Sequence, residues 1–380
     1  MSVGNAIIGS VEQLYISPET SFGVFKAPIG DDAVRIISDG FTVSQERVNR
    51  KDKRNSRSIS ARISRKKTAE FTLSMYMLPS GTAGAPPDVH YALKAVFGDY
   101  ANSAGADTYT LDRDINESYT ISRILGEDLG ESFTGSVFNE IKIKFAGEDE
   151  VMIELGGFSK EWIRTTPTAI TSDTTTSADF VVDDTNSIEV GSIVKIGSDD
   201  NSGAGFEIIN YVVATKTATI GATESFTLGD AVVPFFADAT TTGDPLGCFP
   251  GSISLDGTSF CFSDFEITLT NNIQMRNNCF GSESATGYSA TSFREVTFTG
   301  TLYMDSNNLN LPSISEGFSS QAIVVTAGSV AGRISTVTMP TAELNLVSYE
   351  IPEEEEVTYS IEGQALAPNT AESEINMVFT

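Results

Sequence analysis

Between Thr68 and Met77 the chain alternates strictly. Ala69, Phe71, Leu73, Met75 and Met77 are apolar, and Thr68, Glu70, Thr72, Ser74 and Tyr76 are polar or amphipathic. A period of two marks a strand with one buried face. Nearly the same word returns late in the chain as Phe298, Thr299, Gly300, Thr301, Leu302, Tyr303 and Met304, with Phe, Thr, Tyr and Met at the same four places and the apolar face in phase. One building block is therefore used twice, and Phe71, Leu73 and Met75, with Phe298 and Leu302, are expected in sandwich cores.

Other stretches read the same way. The chain opens with a short strand, a turn set by Pro18 and Gly23, and a second extended piece; 34–37 then leads into the alternation of Phe41 and Val43. Residues 119–125, 140–145 and 151–155 are further strands, the last two joined as a hairpin through Gly147, Glu148 and Asp149. One helix stands out over 87–97. Pro86, Pro87 and Asp88 start it, Val89, Leu93, Val96 and Phe97 share a face, and Gly98 stops it. From Gly247 the repeat resumes. Residues 265–270 correspond to the strand around Phe41 and Val43 after a one-residue shift, and strands are expected at 322–326, 334–339, 343–347, 357–362 and 374–379. The stretch 309–318 is too short and turn-rich to repeat the helix.

Between the two copies the composition changes. Thr-rich flanks at 165–176 and 239–242 bracket strand patterns at 180–182, 192–196, 206–213, 217–220 and 231–236, with twelve acids against two lysines from 165 to 244. A compact β pattern between such flanks suits a surface-mounted insertion with neighbouring ends. The expected fold is all-β: two duplicated β-sandwich or barrel units, 1–164 (with a basic loop at 47–67 and the helix) and 246–380, one flanking helix, and a small inserted β domain at 165–245.

Charge sharpens this picture. The 24 Lys and Arg against 51 Asp and Glu give a net charge of −27, which argues against a nucleic-acid-binding surface, since phosphate affinity comes from cations. The block 47–67 runs the other way, with ten cations and only Asp52 as an acid, +9 in all, leaving −36 for the remainder. It reads as a solvated loop or as an arm docking on an acidic neighbour; as a nucleic-acid site it lacks an aromatic stacking platform. The docking reading pairs Arg47, Arg50, Lys51, Lys53, Arg54 and Arg57 with the acidic run Glu353, Glu354, Glu355 and Glu356 as an inter-ring or inter-subunit contact. Residues 271–287, the counterpart of the arm in the second copy, hold only Arg276 as a cation.

Candidate chemistry is sparse. There is no Gly-rich phosphate loop, HExxH, GxSxG or paired-cysteine motif, so no enzyme and no cofactor is expected. His90, the only histidine, reads as a packed or surface imidazole. Cys248, Cys261 and Cys279, odd in number and irregularly spaced, read as reduced thiols over a disulfide or zinc site. Residues 199–203 read as a turn, lacking the ligand spacing of a calcium loop. The N-terminal MSVGNAIIGS has neither a basic start nor a long apolar core, and no run suits a membrane span, so neither secretion nor a membrane is expected.

The sequence resembles the major tail tube proteins of long, flexible-tailed bacteriophages. The similarity lies in LYISPETSFGVFKAP, SISARISRKKTAEFTLSMYMLPSG, the helix PPDVHYALKAVFGD, SYTISRIL, the hairpin FNEIKIKFAGEDEVMIELGGF, and the late TNNIQMRNNCFG, FREVTFTGTLYMD and AESEINMVF, covering most of 11–163 and 247–380. The inserted 165–245 lies outside the pattern and resembles the optional surface domains of such proteins. The resemblance implies a structural virion protein, made and assembled in the host cytoplasm, whose rings stack into a tube. It also implies tape measure, tail terminator and distal tail proteins as partners, and phage DNA passing through the lumen without specific binding. With two units per chain, a ring holds three chains with pseudo-sixfold symmetry, or else six chains. A β-rich adhesin or carbohydrate-binding surface protein is the alternative, favoured by the Thr-rich insertion and disfavoured by the missing signal peptide.

Overall fold

A computed structural model describes residues 11–380 except 53–57, 60, 116, 148, 185–186, 242, 250, 283, 352, 354–355 and 368–371. Strands dominate. The first ten are β1 (Glu12–Pro18), β2 (Ala33–Val34), β3 (Ser38–Asn49), β4 (Arg62–Tyr76), β5 (Gly98–Ser103), β6 (Ala106–Leu111), β7 (Tyr119–Leu125), β8 (Leu129–Ala146), β9 (Met152–Ser159) and β10 (Glu161–Thr165), with helix α1 (His90–Phe97) before β5. Six more follow: β11 (Thr168–Ala169), β12 (Ser177–Val181), β13 (Ile193–Ile196), β14 (Phe206–Val212), β15 (Thr217–Glu224) and β16 (Ala231–Pro234). The last group is β17 (Ser252–Leu255), β18 (Thr258–Phe260), β19 (Phe262–Thr270), β20 (Ile273–Met275), β21 (Tyr288–Ala290), β22 (Glu295–Tyr303), β23 (Gln321–Val330), β24 (Arg333–Leu344), β25 (Ser348–Glu350), β26 (Thr358–Ala365) and β27 (Asn376–Phe379), with helix α2 (Leu311–Glu316) after β22.

The duplication is visible strand by strand. In the first copy β1 pairs with β2 and β7, β8 with β7, β9 and β10, and β4 with β3 and β9. In the second, β17 pairs with β18 and β23, β24 with β23, β26 and β27, and β22 with β19 and β26, the same pattern in the same order. The alternation at Thr68–Met77 does what its period requires. Ala69, Phe71, Leu73, Met75 and Met77 are all buried, as are Val296, Phe298 and Leu302 in the counterpart. A single apolar core runs through both copies.

One packing detail is repeated almost to the atom. Phe71 lies across β4 from Gly157 on β9, and Phe298 lies across β22 from Gly363 on β26. A Cβ placed on Gly157 would stand 2.5 Å from Phe71 Cζ and 3.0 Å from Cε1; one placed on Gly363 would meet Phe298 at the same 2.5 and 3.0 Å. Each glycine is the seat of the ring opposite it, which is why a residue of poor strand propensity occupies the middle of a strand.

Several expectations change. Two helices flank the sheets instead of one: α2 occupies the place in the second copy that α1 has in the first, begun by Pro312 and anchored by the buried Leu311. The basic segment is also not a plain loop, because Arg47 lies on β3 and Arg62, Arg65, Lys66 and Lys67 on β4, so the described part of the arm is the far end of a long hairpin. The expected strand 334–339 and the start of the expected 343–347 lie on one strand, β24, which ends at Leu344 and runs through Pro340 where its register with β23 slips, a bulge position that tolerates a missing N–H; 345–347 are in no strand. The β5–β6 hairpin turns on Ala104 and Gly105, both at positive φ, and β6 pairs with β27, tying the first copy to the last strand of the second.

Strand β8 explains how two layers arise from one chain. Its first part pairs with β7 and β10, and its second with β9 and β19. The bend falls at Gly135, whose φ of 61° lies in the left-handed region where a side chain would be strained. Strands β11–β16 form a separate six-stranded sheet in the order β11-β16-β13-β14-β15-β12, and a bridge from Ile170 to Val182 links its two ends around a core of its own. Tyr15 and Phe236, with ring centroids 5.5 Å apart, join this module to the first copy.

Candidate functional site

The second half of β8 pairs along its outer edge with β19, from Ala146–Asp264 to Glu140–Thr270. That seam fuses the two copies into one eight-stranded antiparallel sheet in the order β3-β4-β9-β8-β19-β22-β26-β25. One face of this sheet is core. The other follows the polar half of the alternation, with threonines 72, 268, 297, 299 and 301 at its centre. From Thr68 across β4, β9, β8, β19, β22 and β26 this face carries Glu70, Glu140, Glu154, Asp264, Glu266, Glu295 and Glu362 against Lys142 and Lys144. Both lysines are engaged, Lys144 with Glu154 at 2.7 Å and Lys142 with Glu140 at 3.5 Å, so the free charge of the surface is negative.

Both ends of the sheet are open among the described residues: β3 pairs only with β4, and β25 only with β26. Hydrophobic side chains lie bare there. Val43 on β3 is 40% exposed, and Tyr349 and Ile351 at β25 are 52% and 77% exposed. Unpaired strand edges of this kind invite another strand.

The basic hairpin projects from the β3 edge. Arg47, Arg50 and Lys51 are exposed, and Arg50 pairs with Asp52 at 2.8 Å and Arg65 with Glu46 at 3.0 Å, both in solvent. Lys66 Nζ donates to the carbonyls of Cys279 and Ser284, so the root of the arm leans on the segment that is its counterpart in the second copy. Lys67 Nζ stands 4.7 Å from the centroid of the Trp162 ring, an aromatic partner that the basic block lacks in its own sequence. An open groove of about 1370 Å³ at this root is lined by Lys66, Lys67, Glu46, Trp162, Glu189 and Asn278 among others. Burial holds the Glu189 carboxyl above its ordinary range, against the smaller opposing pull of Lys67. Lys53, Arg54, Arg57, Glu354 and Glu355 lie outside the described residues. Glu353 and Glu356 are exposed, and among the described residues no ion pair joins them to the hairpin.

A charged cluster that the sequence did not single out sits beside the foot of β3. Arg123 bridges Asp39 at 2.6 Å and Glu131 at 2.6 Å and lies 4.8 Å from the centroid of the Phe41 ring. Glu12 Oε1 is 3.7 Å from the same guanidinium and accepts no hydrogen bond. Burial, then the neighbouring Asp39, lifts Glu12 from 4.5 to about 7, against the pull of Arg123. Arg123 and Glu131 face each other on the β7–β8 hairpin, Glu12 is brought beside them by the β1–β7 pairing, and Asp39 reaches in from β3.

The remaining candidates have structural roles. His90 Nδ1 is 2.8 Å from the Tyr109 hydroxyl within a cluster of tyrosine rings, and burial drops its pKa to about 4. Cys248 is half-buried and Cys261 and Cys279 exposed, all three free. Asp199 and Asp200 accept hydrogen bonds from the N–H groups of Asn201 and Gly203, the work of a turn. Among the described residues no cluster of His, Cys, Asp and Glu could hold a metal ion, and no helix is long and apolar enough to cross a membrane.

Comparison with known proteins gives the same duplication. The phage tail tube protein family matches twice, over residues 9–208 and again over 204–365. No curated protein matches the chain. The first match covers the first copy and runs on into the inserted module, the second begins within that module and covers most of the second copy, so the module expected outside the pattern is matched as well; together they span nearly the whole chain, which belongs to the phage tail tube protein family, a family of structural and not catalytic components of the virion tail.

Proposed function

We propose that three copies of this chain close into a ring, that rings stack into the tail tube, and that DNA leaves through a lumen walled by the polar face of the eight-stranded sheet. The observation that carries this reading is the sheet itself, two equivalent four-stranded halves side by side, core on one face and threonine and carboxylate on the other.

Geometry supports the number three. With strands ~4.8 Å apart and tilted about 40°, three such sheets close around a backbone diameter of about 48 Å, whereas two give about 32 Å, the strand number of porins that pass only solutes. The wall chemistry fits a conduit. Cations drive nucleic-acid binding through counterion release, and the two lysines on the face are already paired to glutamates. A polyanion beside such a wall slides without being held.

The basic hairpin belongs to stacking. The residues outside 47–67 sum to −36, and in this reading Arg47, Arg50, Lys51, Lys53, Arg54 and Arg57 dock on acidic surface of the adjacent ring, with Glu353, Glu354, Glu355 and Glu356 as the partner run. The first and last rings meet different proteins: a tape measure inside, and terminator and distal tail proteins at the ends. Negative-stain microscopy of the purified full chain tests the reading. Hollow striated tubes or discrete rings are expected, and dispersed single chains at every concentration and ionic strength contradict it.

A further inference from the structure

Along the strand direction the eight-stranded sheet has two ends of different chemistry. At one end of the β8–β19 seam Ala146 pairs with Asp264, and at the other Glu140 pairs with Thr270. The basic hairpin leaves the sheet at the Thr270 end, because its Asn49–Arg62 pair lies beyond Ala69–Ser159. Glu353 and Glu356 lie between Glu350 and Thr358, at the Asp264 end, where Thr358 pairs with Tyr303 and the Tyr303 N–H donates to the Cys261 carbonyl.

A second complementary pair runs in the same direction. At the Thr270 end, β20 and β21 form a hairpin whose tip carries Phe280, 107% exposed. Gly281, at φ 82°, turns the chain directly after it. Lys66 and Arg276 stand at the base of this tip, Lys66 Nζ donating to the Cys279 carbonyl at 3.1 Å and the Arg276 N–H to the Gly287 carbonyl at 2.8 Å. At the Asp264 end a pocket of about 320 Å³ opens between the sheet and β17, β18 and β23. Phe145, Ile253, Phe260, Phe262 and Val325 line it, together with the thiols of Cys248 and Cys261. A cavity of about 150 Å³ already takes a benzene ring, so the pocket has room for a phenyl group. Its surroundings are acidic: Asp264 is part of the wall, the Cys248 N–H donates to the Asp149 carbonyl at 3.0 Å, and Glu150 bridges to Gly247.

We infer that the Phe280 ring of one chain inserts into the Cys261 pocket of a chain in the adjacent ring. This rests on the stacking reading and deepens it by adding an apolar contact to the ionic one. Phe280 and the pocket lie at opposite ends of the same sheet, so they meet only between chains. A stack that brings Arg47 towards Glu353 also brings Phe280 towards the pocket, with Lys66 and Arg276 facing Asp149, Glu150 and Asp264. The two contacts answer differently to salt. Screening weakens the exposed ionic pairs, whereas the buried ring keeps its hold.

Cross-linking tests the contact. With C248S and C279S in place, Cys261 is the one native thiol. Mild oxidation of tubes assembled from F280C/C248S/C279S chains is expected to give a ladder of head-to-tail multimers on a non-reducing gel, because every chain carries one partner at each end. Adding C261S is expected to abolish the ladder. Tubes without a ladder, or a ladder that survives C261S, overturn the pocket contact and leave the stacking reading standing. Wild-type rings that never stack overturn both.

A second measurement does not depend on cysteine. Phe280→Ala and Phe280→Asp alter a fully exposed side chain, and circular dichroism is expected to match the wild type. Both are expected to form rings but to need about tenfold or more chain to form tubes, and the tubes of Phe280→Ala to fall apart into rings at a salt concentration that wild-type tubes withstand. Folded Phe280→Asp chains that form tubes at the wild-type concentration and with the wild-type salt resistance overturn the proposal.

Discussion

Replacing Gly157 by alanine tests the packing on which the duplicated reading rests. In an open strand the change stabilises by about 0.5–1 kcal/mol, because glycine loses more backbone freedom on folding. Here the added methyl would stand 2.5 Å from Phe71 Cζ and run into the Val137 carbonyl. The clash is with backbone as well as with the ring, and Phe71 is 2% exposed, so ring and strand must both move. Overpacking of this kind costs about 1–3 kcal/mol. Gly363 meets Phe298 and the Glu343 carbonyl in the same way and is expected to lose the same amount. The neighbouring Gly156 is the control: its added methyl would find only Glu140 Cβ at 4.0 Å, so alanine there is expected to be neutral or to stabilise. Urea unfolding of the unassembled chain, followed by far-ultraviolet circular dichroism, reads all three. A neutral or stabilising G157A, or a G363A that differs from it in sign, would refute the reasoning.

Two further outcomes are expected. Glu12 has a folded-state pKa of about 7 against 4.5 when exposed, so its ionisation opposes folding increasingly as pH rises through that interval and fully above it; Glu12→Gln is expected to raise the urea midpoint at pH 8 and to lose that advantage as pH falls below about 4.5, and an advantage independent of pH would remove the explanation. Charge reversal at Arg47, Arg50 and Lys51 is expected to leave the folded chain intact while shortening tubes and flattening the salt dependence of their assembly; tubes with unchanged length and salt response would show that the hairpin does not dock rings.

Much of this architecture is legible in the sequence because a half-buried strand has to alternate. Phe71 and Phe298, with the residues around them, announced both copies, and the strands of the inserted module are marked by their turns. What stayed hidden depends on contacts distant in the chain. The β5–β6 hairpin turns on Ala104 at positive φ, which no residue preference signals. Helix α2 is six residues long, too short for a periodic pattern. Pro340 reads as a strand end and is instead a bulge inside β24. At the candidate site, the polar faces around Thr72 and Thr299 were legible, but their union in one surface needed the β8–β19 pairing. The Glu12, Asp39, Arg123 and Glu131 cluster draws on four strands and leaves no motif. The basic block was plain from composition, whereas its hairpin geometry and the Trp162 ring beside Lys67 were not.

The stoichiometry of the isolated ring tests the central claim most directly. Native mass spectrometry of rings released from tubes is expected to give three times the 40.6 kDa chain mass, from particles whose averaged images look six-lobed. A ring of six chains, or the absence of any closed species, would contradict the proposal that each chain supplies two units of the tube wall.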